Sequence, residues 1–166
     1  VIAFLLRLRE EDALNSKKPA LIVVPASVVT NWDREIRRFA PSLTPGTYHG
    51  TGRSMPTDVD IVLTTYALVR RDQEELRKRK WSALVIDEAQ NIKNSDSGQT
   101  RAVKRIRAAY AIAMTGTPVE NRLLDYWSIV DFVMKGYLGS QASFKERYAV
   151  PIERYRDRQT LDRFRT

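Results

Sequence analysis

The stretch Ala83-Leu84-Val85-Ile86-Asp87-Glu88-Ala89-Gln90 decides the fold, because an unbroken aliphatic run ends there in two adjacent carboxylates. A second run, Tyr110-Ala111-Ile112-Ala113-Met114, ends in Thr115-Gly116-Thr117-Pro118. Strands buried on both faces read as continuous apolar runs, and polar residues at their carboxyl ends mark where a parallel sheet meets a ligand crevice. Leu21-Ile22-Val23-Val24, stopped by Pro25, and Asp60-Ile61-Val62-Leu63-Thr64 are two further runs of this kind, and Tyr48-His49 suits a short strand.

Between these runs the apolar spacing turns helical. Val1 to about Leu14 predicts a helix. Val28, Trp32, Ile36 and Phe39 predict another, with Ser27 as its N-cap and Pro41 beyond its end. Thr64 or Thr65 can cap a helix through Tyr66, Leu68, Val69 and Leu76, and Thr100 to Arg107 predicts the next. Thr117-Pro118-Val119-Glu120 has the pattern of a capping box. It would open a helix with Leu123, Leu124, Trp127, Val130 and Val133 inward, closed by Gly136 and Gly139. Strands alternating with helices predict an α/β three-layer sandwich with a mainly parallel central sheet.

Composition bounds what such a domain does. At 166 residues the chain suits one domain with one core. A formal net charge of +8 attracts polyanions, nucleic acid foremost. No cysteine is present, which excludes disulfides and thiol nucleophiles, and the single histidine, His49, excludes a histidine-rich metal site. No apolar stretch reaches the ~18 residues that a membrane span needs, so no membrane partner is expected. The expected setting is intracellular: cytoplasm or nucleoid in a bacterium or archaeon, nucleus in a eukaryote.

Asp87 and Glu88 stand where a buried strand meets solvent, a position suited to serving a magnesium-bound triphosphate. There, one carboxylate would hold the metal and the other would orient and deprotonate water. Thr115 and Gly116 end a second strand 28 positions after Asp87 (115 − 87), so their polar groups would share that sheet edge. None of the seven glycines belongs to a G-x-x-x-x-G-K-[ST] phosphate loop.

The ordered set of Leu21–Pro25 with Asn31-Trp32 and Glu35, Asp60–Tyr66, Asp87-Glu88-Ala89-Gln90, and Thr115-Gly116-Thr117-Pro118 carries a resemblance, as do Glu120-Asn121, Leu123, Asp125, Trp127-Ser128 and Phe132. It resembles the first RecA-like lobe of the Swi/Snf-type DNA-dependent ATPases of helicase superfamily two. The resemblance implies ATP and Mg2+ as cofactors, and hydrolysis coupled to movement on double-stranded DNA. It implies Asp87 as the magnesium acid, Glu88 as the catalytic acid, Gln90 at a coupling position, and Thr115 with Thr117 linking nucleotide state to DNA. It further implies that Pro25, Ser27, Thr64 and Thr65 lie in segments touching the DNA backbone. Residues 1–139 would form a partial lobe and 140–166 its basic extension, where Tyr155, Phe164 and several arginines could form a nucleic-acid surface.

The chain departs from that family in three places. Gln90 stands where histidine is more usual, and Met134-Lys135-Gly136 replaces a proline-glycine turn. Val1 to Leu5 also resembles the helix just after the phosphate loop. The expectation is therefore a lobe lacking its phosphate-loop strand, inactive alone, with an exposed edge at the Tyr110 strand. The second RecA-like lobe of the same protein is an expected partner, and a larger protein complex a further one. The competing expectation is a catalytically inactive nucleic-acid or protein-binding scaffold that retains the fold.

Overall fold

The computed structural model describes residues 1–116 and 122–165. Five strands form one all-parallel sheet: β1 (Ala20–Val24), β2 (Pro45–Thr47), β3 (Ile61–Thr65), β4 (Trp81–Ile86) and β5 (Ala108–Ala113), in the order β2-β3-β1-β4-β5. The interleaved helices are α1 (Ile2–Glu10), α2 (Val29–Phe39), α3 (Tyr66–Arg71), α4 (Gln73–Lys78), α5 (Gly98–Arg105) and α6 (Leu123–Val133), followed by α7 (Gln141–Phe144) and α8 (Arg158–Arg165).

Every residue of β1, β3 and β4 is buried, yet the period of two survives as a division between two cores. Leu21, Val23, Val62, Leu84 and Ile86 join one apolar cluster with Val69, Leu76, Val103 and Ile129 from α3 to α6. Ile22, Val24, Ile61, Leu63, Ala83 and Val85 join the other, with Leu5, Leu8 and Ile36 from α1 and α2. Burial of both faces explains why the strand sequences read as unbroken apolar runs. The chain leaves β1 toward β3 over one face and returns to β4 over the other. The order therefore reverses between β1 and β4, the switch point where such sheets bind ligands.

Several expectations need correction. Ser27 caps nothing: Ala26–Val28 form a 3-10 turn before α2, and α2 has no side-chain cap. Phe39 points outward at 58% exposure, with the Arg38 guanidinium over its ring. The helix expected through Leu76 breaks at Asp72 into α3 and α4. The short strand is Pro45–Thr47 rather than Tyr48-His49, although the Tyr48 N–H still donates to the Leu63 carbonyl. The capping box at Thr117-Pro118-Val119-Glu120 lies outside the described residues.

Residues after Gly139 fold back on α6. α7 continues into a π-helical segment, Lys145–Arg154. Phe164 packs among Tyr126, Phe144 and Tyr148, so it belongs to an aromatic cluster and not to a displayed nucleic-acid surface, whereas Tyr155 is exposed. At the other margin β5 is the outermost strand. None of its residues is fully buried, and Phe4 stacks edge-on against the half-exposed Tyr110.

Asp72 also anchors the loop after β2. It accepts hydrogen bonds from the Tyr48 hydroxyl (3.1 Å) and the Arg53 guanidinium, while the same hydroxyl reaches Glu75. Burial, then hydrogen bonding to Glu75 and Asp72, then their charges hold the Tyr48 phenol above its ordinary pKa. Its stabilising contribution is complete below the ordinary phenol pKa of about 10 and is lost as pH rises through the higher folded value. Urea unfolding as a function of pH should show the advantage of the wild type over Tyr48→Phe constant up to about pH 10 and shrinking above it. A pH-independent difference would show that the hydroxyl does not need its proton there.

Candidate active site at the carboxyl ends of the central strands

Two flanking strands fix the turn after β4. The Asp87 N–H donates to the Val23 carbonyl (2.9 Å) at the end of β1, and the Ala89 N–H donates to the Met114 carbonyl (2.8 Å) just past β5. The buried Tyr66 hydroxyl, from the first residue of α3, donates to the Asp87 carbonyl at 2.5 Å. Burial, then the Asp87 and Glu88 charges push this phenol well above its ordinary pKa, so it stays a donor.

Glu88 adopts φ 52° and ψ 57°, the left-handed region that side chains other than glycine enter at a cost of about 1–2 kcal/mol. This single residue ends the strand and starts the 3-10 turn Ala89–Ile92, leaving the Glu88 side chain exposed at the rim. Strain of this kind gathers at functional sites, held by the surrounding structure.

A line of hydrogen bonds joins the two strand ends. The Gln90 amide donates to Glu88 Oε2 (2.6 Å), and the Thr115 hydroxyl donates to Gln90 Oε1 (2.9 Å). Gln90 thus accepts from one strand end and donates to the other. Asp87 is held separately: its Oδ1 accepts the Glu88 N–H (2.9 Å) and its Oδ2 the Trp32 indole N–H (2.9 Å).

The expected nucleic-acid residues fare unevenly. Pro25 and Ser27 sit at the carboxyl end of β1, with Ser27 exposed. Val24 pairs with Thr65, so the exit of β1 into its 3-10 turn and the exit of β3 into α3 lie side by side. Thr64 is fully buried and its hydroxyl donates to the Tyr48 carbonyl (3.0 Å), so its side chain is committed to the core. Thr65 is also buried, and it caps α3 by accepting the Leu68 N–H. Thr117 lies outside the described residues.

In the sequence, Trp32 and Tyr66 stand at helical core positions and within the family resemblance, with no role assigned to their polar atoms. The signal was chemical: a buried indole N–H or phenol needs a partner, and both residues closely follow strands neighbouring or near β4. Ser128 is a further case, its buried hydroxyl donating to the Ile92 carbonyl (2.7 Å) and tying α6 to the turn after the acids.

A cavity of about 730 Å³ opens at the opposite, amino ends of β4 and β5, lined by Arg77, Arg101, Lys104, Arg105, Arg107 and Lys135 among others. It lies away from the acid turn and contains none of its groups.

The profile of the SNF2-related domain matches residues 1–165. The chain belongs to the SNF2-related domain family. It is 43% identical to the putative ATP-dependent helicase/translocase YwqA of Bacillus subtilis over 97% of its own length and 18% of that protein. Against the TATA-binding protein-associated factor MOT1 of Saccharomyces cerevisiae it is 38% identical, covering 92% of this chain and 9% of that one. In three dimensions it matches the Sulfolobus solfataricus SWI2/SNF2 ATPase core in complex with dsDNA with a TM-score of 0.89 and 39% identity, over 99% of this chain and 34% of that chain. The ATPase core domain from the same organism matches with a TM-score of 0.84. The chain therefore spans under a fifth of these two relatives' lengths and about a third of the solved core. Its α/β fold with an all-parallel five-stranded sheet is the RecA-like fold of SNF2-related proteins.

The strained Glu88 turn yields a stability prediction for this SNF2-related domain. Glu88→Gly should raise folding stability by about 1 kcal/mol, because glycine enters the left-handed region freely. A urea midpoint that moves up at constant m-value confirms it. A fall would show that the Glu88 contact with Gln90 outweighs the backbone cost.

Proposed function

We propose that this chain is part of the first lobe of an ATP-dependent DNA translocase, with residues 1–139 as the lobe and 140–166 as its basic extension. The observation that carries this reading is the line Glu88–Gln90–Thr115 at the carboxyl ends of β4 and β5, beside Asp87 at the switch point of a RecA-like sheet.

The donor set suits magnesium. Asp87 and Glu88 offer hard carboxylate oxygens, and each Asp87 oxygen accepts one N–H, leaving a lone pair free. Among the described residues no group of three or more acidic, histidine or cysteine side chains gathers as a metal cage. That fits a cation that keeps most of its water and shares a nucleotide's phosphates. Asp87 would hold Mg2+, which when bound neutralises phosphate charge on ATP. Glu88, exposed at the rim, would orient the attacking water and take its proton. Gln90 holds the Glu88 carboxylate and reads the position of Thr115, so a shift at the end of β5 moves the base.

DNA would lie across the carboxyl ends of β1 and β3, where the exposed Ser27 hydroxyl and backbone N–H groups can meet phosphates, and Thr117 would be a further contact. Thr64 and Thr65, whose side chains are buried, would take part through the backbone of their segment. The second RecA-like lobe of the intact protein would complete the site, and further protein partners would set what is moved. No helix among the described residues is long and apolar enough to cross a membrane.

In the intact protein, Asp87→Asn and Glu88→Gln should each lower DNA-stimulated ATP hydrolysis by about 10²–10⁴-fold while leaving the fold unchanged by circular dichroism. Affinity for duplex DNA should fall linearly in log–log form with salt, as counterions are released. Undiminished hydrolysis in both variants would show that these acids do not carry the chemistry, and an intact wild type that binds DNA without hydrolysing ATP would favour a scaffold without catalysis.

A further inference from the structure

The chain has three tryptophans, and each indole N–H has a partner. Trp81 donates to the Leu76 carbonyl (2.7 Å) and Trp127 to the Gly139 carbonyl (3.1 Å), both backbone acceptors, five and twelve residues away in sequence. Trp32 differs: it donates to the side-chain carboxylate of Asp87, 55 residues away in sequence. Backbone satisfaction explains the first two rings. It does not explain the third, whose acceptor is the proposed metal acid.

We propose that Trp32 is a positioning residue for Asp87, fixing the carboxylate that would hold the nucleotide's metal and tying it to the helix that follows the DNA-facing turn. The inference rests on the function proposed above. Asp87 receives one N–H on each oxygen, one from its own turn and one from α2, and two donors from different directions leave the carboxylate a single orientation. The Trp32 bond is charge-assisted, in the class of shorter and stronger hydrogen bonds. Groups that orient a metal-binding side chain in this way typically change metal affinity or activity by 10–100-fold when removed.

The placement follows from the sheet. β1 and β4 are neighbours, so the elements leaving their carboxyl ends start side by side. The chain leaves β1 through Pro25 and one 3-10 turn, then enters α2, and Trp32 is the fourth residue of that helix. The ring itself packs against the apolar cluster of Ile22, Val24, Ile36 and Val85, so its body is anchored and only its N–H edge reaches the acid. A displacement of the Pro25–Ser27 turn therefore has a direct mechanical path to the Asp87 carboxylate: one short helical stretch and one hydrogen bond.

The test uses the intact protein with Trp32→Phe, which keeps an aromatic ring and deletes the N–H. Binding of Mn2+ in the presence of ADP, read by electron paramagnetic resonance, should weaken about 10-fold, and the Mg2+ concentration for half-maximal hydrolysis should rise in parallel. Adding Trp32→Phe to Asp87→Asn should cost no further metal affinity, because both act through one carboxylate. Should Trp32→Phe fail to fold, site-specific 3-benzothienylalanine at position 32, with sulfur in place of the N–H, preserves the shape and poses the same question. Unchanged Mn2+ affinity with only a lowered melting temperature would overturn the inference, as would additive losses in the double variant. If Asp87→Asn itself leaves Mn2+ affinity and turnover intact, the proposed function fails instead, and the two failures are told apart by that reference variant.

Discussion

The parallel pairing of β1 with β4 is the constraint on which the rest depends. Val23 lies opposite Ile86, and the ladder's last bond, from the Asp87 N–H to the Val23 carbonyl, fixes where the strand stops and the acids begin. A register slip of one residue would exchange the two cores, sending Leu84 and Ile86 to the α1–α2 side and Val85 to the other. Burial on both faces makes that slip costly. The acid turn thus takes its position from core packing several residues away, and its own contacts need only refine it.

Refinement is what the side chains around Asp87 and Glu88 supply. Tyr66 holds a backbone carbonyl, Trp32 and the Glu88 N–H hold the Asp87 carboxylate, and Gln90 holds the Glu88 carboxylate. Glu88 sits in a left-handed conformation that isolated chain would avoid, so the surrounding bonds must offset its cost. Gln90 suits its place because an amide both donates and accepts, which lets one side chain connect Thr115 to Glu88.

Much of this was legible in the chain itself, for identifiable reasons. Strands buried on both faces announce themselves as aliphatic runs, so β1, β3 and β4 are legible to within a residue or two, as is the more exposed β5 from its apolar run, and the ligand edge follows from the polar residues that end them. Capping was less legible: Ser27 has a capping side chain, but a 3-10 turn consumes the position, while Thr65 does cap. The partner of the Thr64 hydroxyl was not legible, because only the fold brings the Tyr48 carbonyl beside it. Trp32 and Tyr66 fit helical periodicity so well that core burial explained them completely. Their polar atoms could be assigned only once the crossovers had put α2 and α3 beside the end of β4.

Those crossovers also explain why Asp87 is held from two sides. α2 packs on one face of the sheet and α3 on the other, so Trp32 reaches the carboxylate from one core and Tyr66 reaches the carbonyl from the other. Each helix follows a turn at the edge where DNA is proposed to lie. A ligand pressing on the turn after β1 would act on the Asp87 side chain, and one pressing on the turn after β3 would act on its backbone. Because Glu88 follows in a strained conformation, backbone movement at Asp87 changes the aim of the Glu88 side chain as well. On the proposed function the two acids would therefore be tuned through different bonds from neighbouring strand exits of one surface, an arrangement by which contact with a polymer would set the geometry of an acid pair.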